Sequence, residues 1–201
     1  MSAYAELHCA SNFSFLRGAS HPEELVERAL ALEYTALAIT DECSFAGSVR
    51  AHLALRDLRE QDAAARDFRL IHGTELRLAD GPRMVLLAQT RAGYGNLSQL
   101  VSLGRRQAPK GSYRLSMADL QAHAHWLDST LALLIPPPAA IGRKYVPDPD
   151  FLFIEQARWL AAQMPGPPEF DTKRCKLLIC IGAPFQAATT ATTFERRRRV
   201  S

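Results

Sequence analysis

The chain has 201 residues, enough for one domain with a sizeable core, and its 47% hydrophobic and 22% charged residues exclude wholesale disorder. The net charge of +3 is compatible with a nucleic-acid partner but does not indicate one. No apolar run approaches the roughly 18 residues that cross a bilayer, and residues 1–20 hold no signal-peptide core. We therefore expect a cytoplasmic protein with no membrane partner.

Several segments predict β-strands. The first three are YAELHC (4–9), TALAIT (35–40) and FRLIHG (68–73). TALAIT is almost continuously apolar, as expected for a strand of a parallel sheet that is covered on both faces. TELRLAD and RMVLLAQT flank Asp80-Gly81-Pro82 and predict a hairpin, and TLALLIP (130–136) predicts a further buried strand.

Helices are predicted between these strands. Ser20 is the expected N-cap of the first helix, with Glu23 completing a capping box. Its buried stripe is expected at Leu25, Ala29 and Leu32. Further helices are predicted at 45–59, at RAGYGNLSQLVSLGRR (91–106) and after Ser116. This order of elements predicts a mostly parallel α/β sheet or barrel with right-handed crossovers.

The character of the sequence changes after residue 144. FLFIEQARWLAAQM (151–164) predicts an amphipathic helix, and KLLICI (176–181) predicts a strand. From Gly182 onward the chain is rich in Ala and Thr and then carries four arginines, Arg196–Arg199. Such a run of like charges is typical of a solvated tail, with a nucleic-acid patch as the alternative.

Polar side chains gather where the first three predicted strands end. His8 ends the first strand, Asp41 and Glu42 follow the second, and Glu75 follows the third. In a barrel of parallel strands these ends share one face, where active sites are built. The four side chains predict either a Mn²⁺, Mg²⁺ or Zn²⁺ site that activates water for phosphate-ester hydrolysis, or structural residues that cap helices and pair with arginines.

Three segments carry a resemblance to a known family: LHCASNFSFLRGASHPEELVERA, ALAITDECSFAGSVRAH and LIHGTELRL. They resemble the opening motifs of the PHP (polymerase and histidinol phosphatase) domain, in the form found at the N-terminus of bacterial error-prone DNA polymerases. The resemblance runs from about residue 4 to 164 and implies an α/β fold, a PHP-type distorted (β/α) barrel that is incomplete here. We expect a PHP-like domain at 1–165 and, at 166–201, a divergent C-terminal tail that is either frameshifted or poorly ordered.

The family's metal-ligand pattern is largely broken in this chain. The retained ligand positions are His8, Asp41 and Glu75, and the degenerate positions are Ala10, Arg17 and Glu42. The resemblance places histidines at two of the degenerate positions and an aspartate at the third. Because ligand loss weakens a metal site steeply and a cationic side chain opposes a cation, we expect no metal, no other cofactor and no catalytic residue.

The resemblance also implies a parent function. C-family error-prone polymerases are nucleotidyltransferases that use Mg²⁺ and act in DNA replication, DNA repair, translesion synthesis and damage-induced mutagenesis. The polymerase aspartates are absent from this chain, so we expect an inactive fragment with a structural role. It would pack against the rest of the polymerase chain and meet DNA only through it.

The alternative function is a metal-dependent phosphoesterase or a 3′–5′ exonuclease with a rearranged site. In that case Glu42 would supply an oxygen ligand, and Cys9 or Cys43 would supply sulfur. The four cysteines form no CxxC pair, so a zinc knuckle is not indicated.

Overall fold

The structure is a computed structural model and describes residues 4–135 together with one further strand at 177–179. Within these residues six strands form one sheet, in the order in which they follow each other along the chain. The strands are β1 (Ala5–Cys9), β2 (Ala36–Ile39), β3 (Arg69–Arg77), β4 (Arg83–Ala88), β5 (Thr130–Ile135) and β6 (Leu177–Ile179). The helices are α1 (Pro22–Ala31), α2 (Ala46–Gln61), α3 (Arg91–Arg106) and α4 (Met117–Ala122), with short 3₁₀ turns at Ala63–Ala65 and Ala124–Leu127.

The sheet is mixed rather than mostly parallel. β1, β2 and β3 are parallel to one another, whereas β4 is antiparallel to both β3 and β5, and β6 is parallel to β5. The predicted hairpin explains the difference, because the short turn between Arg77 and Arg83 cannot carry the chain back for a parallel crossover. The sheet curls into a half-barrel, which confirms the expected incomplete PHP-type barrel.

The core forms on both sides of the sheet. All four residues of β2 are buried, as its apolar sequence predicts. Leu37 and Ile39 pack against α1 and α2, whereas Ala38 contributes to a cluster built from strand residues alone. A third cluster joins α3 and α4 to β3, β4 and β5. The helices therefore cover one face of the sheet and leave its strand ends free to form a site.

The first helix begins one residue later than predicted. Pro22 occupies the first helical position, which suits a residue without an N–H group, so the N-cap is His21 rather than Ser20. The backbone N–H of His21 donates to Oε2 of Glu24 at 2.9 Å. The predicted stripe is confirmed at Ala29, which is buried, and Leu25 is half-buried against the same core cluster. It is wrong at Leu32, which follows the helix and is 45% exposed. The buried residues of α1 are Pro22, Val26 and Ala29.

Most other element predictions within the described residues are confirmed. The hairpin, the helix at 91–106 and the strand at 130–135 lie where the sequence places them, and Ser116 caps α4 together with Asp119. The third predicted strand is wrong in its end: it continues through Arg77, so Glu75 lies inside β3 and does not follow it. β6 lies inside the strand predicted at 176–181. The predicted helix at 151–164 and the arginine-rich tail lie outside the described residues. No helix in the described ranges is long and apolar enough to cross a membrane.

Two glycines of α3 provide a matched test of this packing. A Cβ on Gly93 would lie 2.3 Å from the carbonyl oxygen of Ser129, a backbone atom that cannot move independently of β5. We expect Gly93→Ala to lower the free energy of unfolding by about 1–3 kcal/mol. A Cβ on Gly95 would meet nothing within 4 Å, so Gly95→Ala should raise it by up to about 1 kcal/mol through helix propensity. Urea unfolding measures both, and effects of the same sign would contradict the close approach of α3 to the start of β5.

Candidate functional site

Glu75 lies at the centre of a cluster of charged side chains beside the ends of β1 and β2. Its side chain is only 1% exposed, and its carboxylate is bonded to one histidine and two arginines. Nε2 of His8 lies 2.8 Å from Oε2 of Glu75. Arg17 donates to both oxygens at 2.8 Å through its two terminal nitrogens. Arg83 also donates to both, from Nε at 2.6 Å and from Nη2 at 3.1 Å.

Glu42 adds a second carboxylate to this cluster. Nη1 of Arg17 donates to Oε2 of Glu42 at 2.8 Å, so one guanidinium joins Glu42 and Glu75. The hydroxyl of Tyr113 donates to the other oxygen of Glu42 at 2.9 Å. The backbones of Glu42 and Glu75 form a parallel bridge, which sets the two carboxylates side by side. A positive group therefore lies between two carboxylates, and it is a side chain of the protein itself.

The contacts of the cluster fix the charge states of three of its groups. Burial raises the pKa of the Glu75 carboxyl, but hydrogen bonds from His8, Arg17 and Arg83 together lower it by more, and the net pKa lies well below its usual range. The hydrogen bond to Glu75 raises the pKa of the Arg17 guanidinium above its usual range. Burial and the bond to Glu42 likewise raise the pKa of Tyr113. Glu75 is therefore charged, Arg17 is charged and Tyr113 is neutral near pH 7, and these three groups are not tuned to exchange a proton at that pH.

Asp41 lies next to this cluster, but its carboxylate is bound to other groups. It is fully buried and accepts hydrogen bonds from the backbone N–H of Ser11 and the hydroxyl of Ser14, at 2.8 and 2.7 Å. The hydroxyl of Ser11 donates to its second oxygen at 2.7 Å. Asp41 meets Glu75 only through the backbone, where the N–H of Glu75 donates to its carbonyl oxygen at 3.1 Å. Of the three retained ligand positions, the structure brings the side chains of His8 and Glu75 into contact and directs that of Asp41 elsewhere.

These donors do not fit a divalent metal ion. A cation at Glu75 would have to displace two guanidinium groups that already bind both carboxylate oxygens. Ala10 offers no donor atom, and in the described part of the chain no group of three or more His, Cys, Asp or Glu residues is placed to hold a metal ion. The like charges of Arg17 and Arg83 would repel the ion at close range.

The cysteines do not repair this deficit. Burial raises the pKa of the Cys9 thiol to about 12 and that of the Cys43 thiol to about 11. Both groups are therefore protonated thiols near neutral pH, and a metal ion would have to displace a proton to bind either one. Cys43 is also buried in the core, at 1% exposure, and packs among the residues of α3 and β3–β5.

Sequence reasoning missed two members of the cluster, Arg83 and Tyr113. Tyr113 carries no signal, because it follows α3 in a segment without periodicity. Arg83 does carry one. Glu75 pairs with Val85 across the hairpin, so Arg83, two residues before Val85, lies diagonally opposite Glu75 on the same face.

Comparisons with known proteins identify the family. Residues 6–158 match the family model described as the PHP domain. The chain belongs to the PHP domain family. The resemblance stated from the sequence motifs is thereby confirmed.

Several relatives are named error-prone DNA polymerase. The one from Aromatoleum aromaticum is 48% identical over 204 residues, which cover 98% of this chain and 18% of the relative. The one from Azoarcus sp. strain BH72 is 59% identical over 136 residues, covering 59% of this chain and 13% of the relative. This chain therefore spans less than a fifth of the length of these relatives. The domain boundary at residue 165 and the frameshifted or poorly ordered tail stay predictions.

A solved structure supports the fold. A candidate metal-dependent phosphoesterase from Bifidobacterium adolescentis superposes with a TM-score of 0.54 at 15% identity, covering 84% of this chain and 80% of that one. At that identity the likeness concerns the fold of the two proteins.

The buried ion pairs generate a test. We expect Glu75→Gln to lower the free energy of unfolding at pH 7 by about 3 kcal/mol, because Arg17 and Arg83 lose their shared carboxylate. The folded-state pKa of Glu75 lies below its unfolded value of about 4.3, so its contribution is complete above that pH and is lost as the pH falls through the folded pKa. Urea unfolding between pH 7 and pH 3 should therefore show a weaker loss of stability in Glu75→Gln than in the parent.

The control for this test is Asp57→Asn. Asp57 forms a surface ion pair with Arg56 at 2.9 Å, and both side chains are more than half exposed. This substitution should change stability by less than about 1 kcal/mol and leave the pH dependence intact. Equal effects of the two substitutions would contradict the central place of Glu75.

Proposed function

We propose that this chain is the PHP-domain portion of an error-prone DNA polymerase and that it has a structural role in place of metal-dependent catalysis. The observation that carries the proposal is the guanidinium of Arg17, which binds both oxygens of Glu75 and one oxygen of Glu42. Arg17 occupies one of the positions at which the resemblance to the family implies a metal ligand that this chain lacks. The names of the relatives support the connection with a polymerase.

The chemistry of the cluster supports a structural role. Glu75 joins β3 to β1 through His8, to β4 through Arg83, and to the loop after β1 through Arg17. Such a fully bonded carboxylate fixes the relative positions of these elements, but it leaves no oxygen free to activate a water molecule. Paired buried charges act in this way because breaking any one pair exposes the others to an unfavourable environment.

The remainder of the proposal concerns the whole polymerase. In the whole polymerase, this domain would pack against the rest of the chain. DNA would bind to the polymerase part, where Mg²⁺ would serve nucleotidyl transfer. The polymerase would act in the cytoplasm, in DNA repair, translesion synthesis and damage-induced mutagenesis. These functions rest on the resemblance and on the name that the relatives share.

The alternative proposal is a metal-dependent phosphoesterase or a 3′–5′ exonuclease with a rearranged site. The fold is compatible with it, since a candidate phosphoesterase has a similar one. It requires Arg17 and Arg83 to leave Glu75 before a metal ion could bind there.

Metal titration separates the two proposals. Isothermal titration with Mn²⁺ and Zn²⁺ should give no micromolar binding to the parent chain, because Arg17 competes for the same carboxylates. The triple variant Ala10→His, Arg17→Asp, Glu42→His should bind Mn²⁺ at least about tenfold more tightly than the parent. Each metal ligand and the groups that hydrogen-bond to it contribute strongly to the affinity for the metal. Circular dichroism controls for the folding of each variant.

The His8→Ala variant is the matched control in the same titration. Stoichiometric binding at micromolar concentration by the parent, abolished by His8→Ala, would overturn the structural proposal. Hydrolysis of a generic phosphodiester by the parent with added Mn²⁺, lost in the same variant, would establish the enzyme alternative.

A further inference from the structure

The loop that follows β1 exposes large apolar side chains. Phe15 and Leu16 are 84% and 89% exposed, and nearby Phe13 is 39% exposed. Isolated exposed hydrophobic residues are common on protein surfaces, but a dense group of them marks an interaction site. We call residues 13–16 the apolar loop.

The apolar loop is held in a fixed conformation. Leu16 has a φ of 61°, in the left-handed region that residues other than glycine adopt at an energetic cost. Backbone hydrogen bonds close the loop on itself: the N–H groups of Arg17 and Gly18 both donate to the carbonyl oxygen of Ser14, at 2.9 and 3.0 Å. The strained conformation of Leu16 is thus kept by its surroundings.

The retained family residues anchor the apolar loop at both ends. On the N-terminal side, Ser11 and Ser14 are bonded to the buried carboxylate of Asp41. On the C-terminal side, Arg17 is bonded to Glu75 and Glu42. The carboxylates of Asp41, Glu42 and Glu75 therefore fix the backbone of the loop that presents Phe15 and Leu16. A loop whose backbone is held in place before binding loses less entropy when it binds, which favours its use in an interface.

We propose that the apolar loop docks this domain onto the polymerase part of the parent chain, with Phe15 and Leu16 inserted into an apolar pocket there. The inference rests on the proposed function. The Aromatoleum aromaticum relative is about five times as long as the portion that matches this chain, so most of that polymerase lies beyond the matched portion. A partner in the same chain is present at high effective concentration, so a small apolar contact suffices to hold it.

Other occupants fit the apolar loop less well. A stable pair of identical chains buries about 1,200–2,000 Å² in total, far more than three side chains supply. Single-stranded DNA binds where aromatic rings lie beside a positively charged groove. Phe13 and Phe15 supply aromatic rings, but Arg17, the nearest cation along the chain, is already bonded to two carboxylates.

A chimeric polymerase tests the docking. In the Aromatoleum aromaticum polymerase, the portion that matches this chain is replaced by the 201-residue chain. The loop variant carries Phe15→Ser and Leu16→Asn, since asparagine tolerates the left-handed conformation. The control variant carries Val49→Ser and Leu53→Asn on α2, where the two side chains are 51% and 44% exposed. Primer extension, thermal unfolding and limited proteolysis are measured for each.

The chimera with the unaltered loop should extend primers and unfold in a single transition. The loop variant should unfold in two transitions and be cleaved between the two parts about tenfold faster or more, as expected when a central apolar contact is lost. The control variant should match the unaltered chimera. In the isolated chain, the loop variant should leave the unfolding temperature unchanged, because the side chains it removes are exposed.

The other outcomes are distinguishable. An active chimera in which loop and control variants behave alike would overturn the docking and leave the proposed function standing. A chimera with no primer extension, although both parent proteins fold, would overturn the proposed function and the docking with it. If the isolated chain self-associates or binds single-stranded DNA, and only the loop variant loses that property, the apolar loop has another occupant and the docking proposal is wrong.

Discussion

The contact between Arg17 and two carboxylates organises this end of the molecule. Its guanidinium bonds Glu75 and Glu42 at 2.8 Å, while Arg83 and His8 complete the shell of Glu75. Because Glu75 is almost fully buried, each of these partners compensates for the loss of water around its charge. Three strands and the loop after β1 meet at this one side chain, so their mutual positions depend on it.

A guanidinium and a metal ion solve the same electrostatic problem differently. Both neutralise clustered carboxylates, but the guanidinium is attached to the chain and needs no binding equilibrium. It also has no vacant coordination position and does not lower the pKa of a water molecule, which is what a catalytic metal contributes. The exchange of a metal ion for Arg17 would therefore keep the mechanical function of the cluster and give up its chemistry. This contrast is the physical argument for the structural role proposed above.

Much of the fold could be predicted from the sequence because its signals are local. The continuous apolar run of β2, the turn at Asp80-Gly81-Pro82 and the Ser116–Asp119 capping box each specify an element by themselves. The start of α1 lies one residue after the predicted one, because both Ser20 and His21 precede the helix and either could be its N-cap. Pro22 occupies the first helical position, which makes His21 the N-cap. The sequence predicts a mostly parallel sheet from the order of its elements. The same sequence predicts the hairpin, and a hairpin makes β4 antiparallel to β3, so the sheet is mixed.

The candidate site was predictable only in part, because it depends on contacts distant in sequence. His8 and Glu42 could be placed at one edge from the ends of their strands, whereas Glu75 lies inside β3 and reaches the cluster because β3 is longer than predicted. The contacts of Arg17 with Glu42 and Glu75 could not be predicted, because they depend on the path of the loop after β1. Asp41 fixes that path through its hydrogen bonds with Ser11 and Ser14. Arg83 lies eight residues from Glu75, yet its contact follows from hairpin register rather than from any motif.

The shared bonding of Glu75 also limits which substitutions could build a metal centre here. Replacing Arg17 by an acidic residue alone would place a third carboxylate beside Glu42 and Glu75 and remove the charge that holds them together. Like charges at this distance raise one another's pKa and cost stability. Replacing Ala10 or Glu42 by histidine alone would add a ligand to a cluster whose central carboxylate is already bonded to two arginines. Each single substitution is therefore expected to be neutral or harmful to stability, and a metal centre at this place requires several substitutions together.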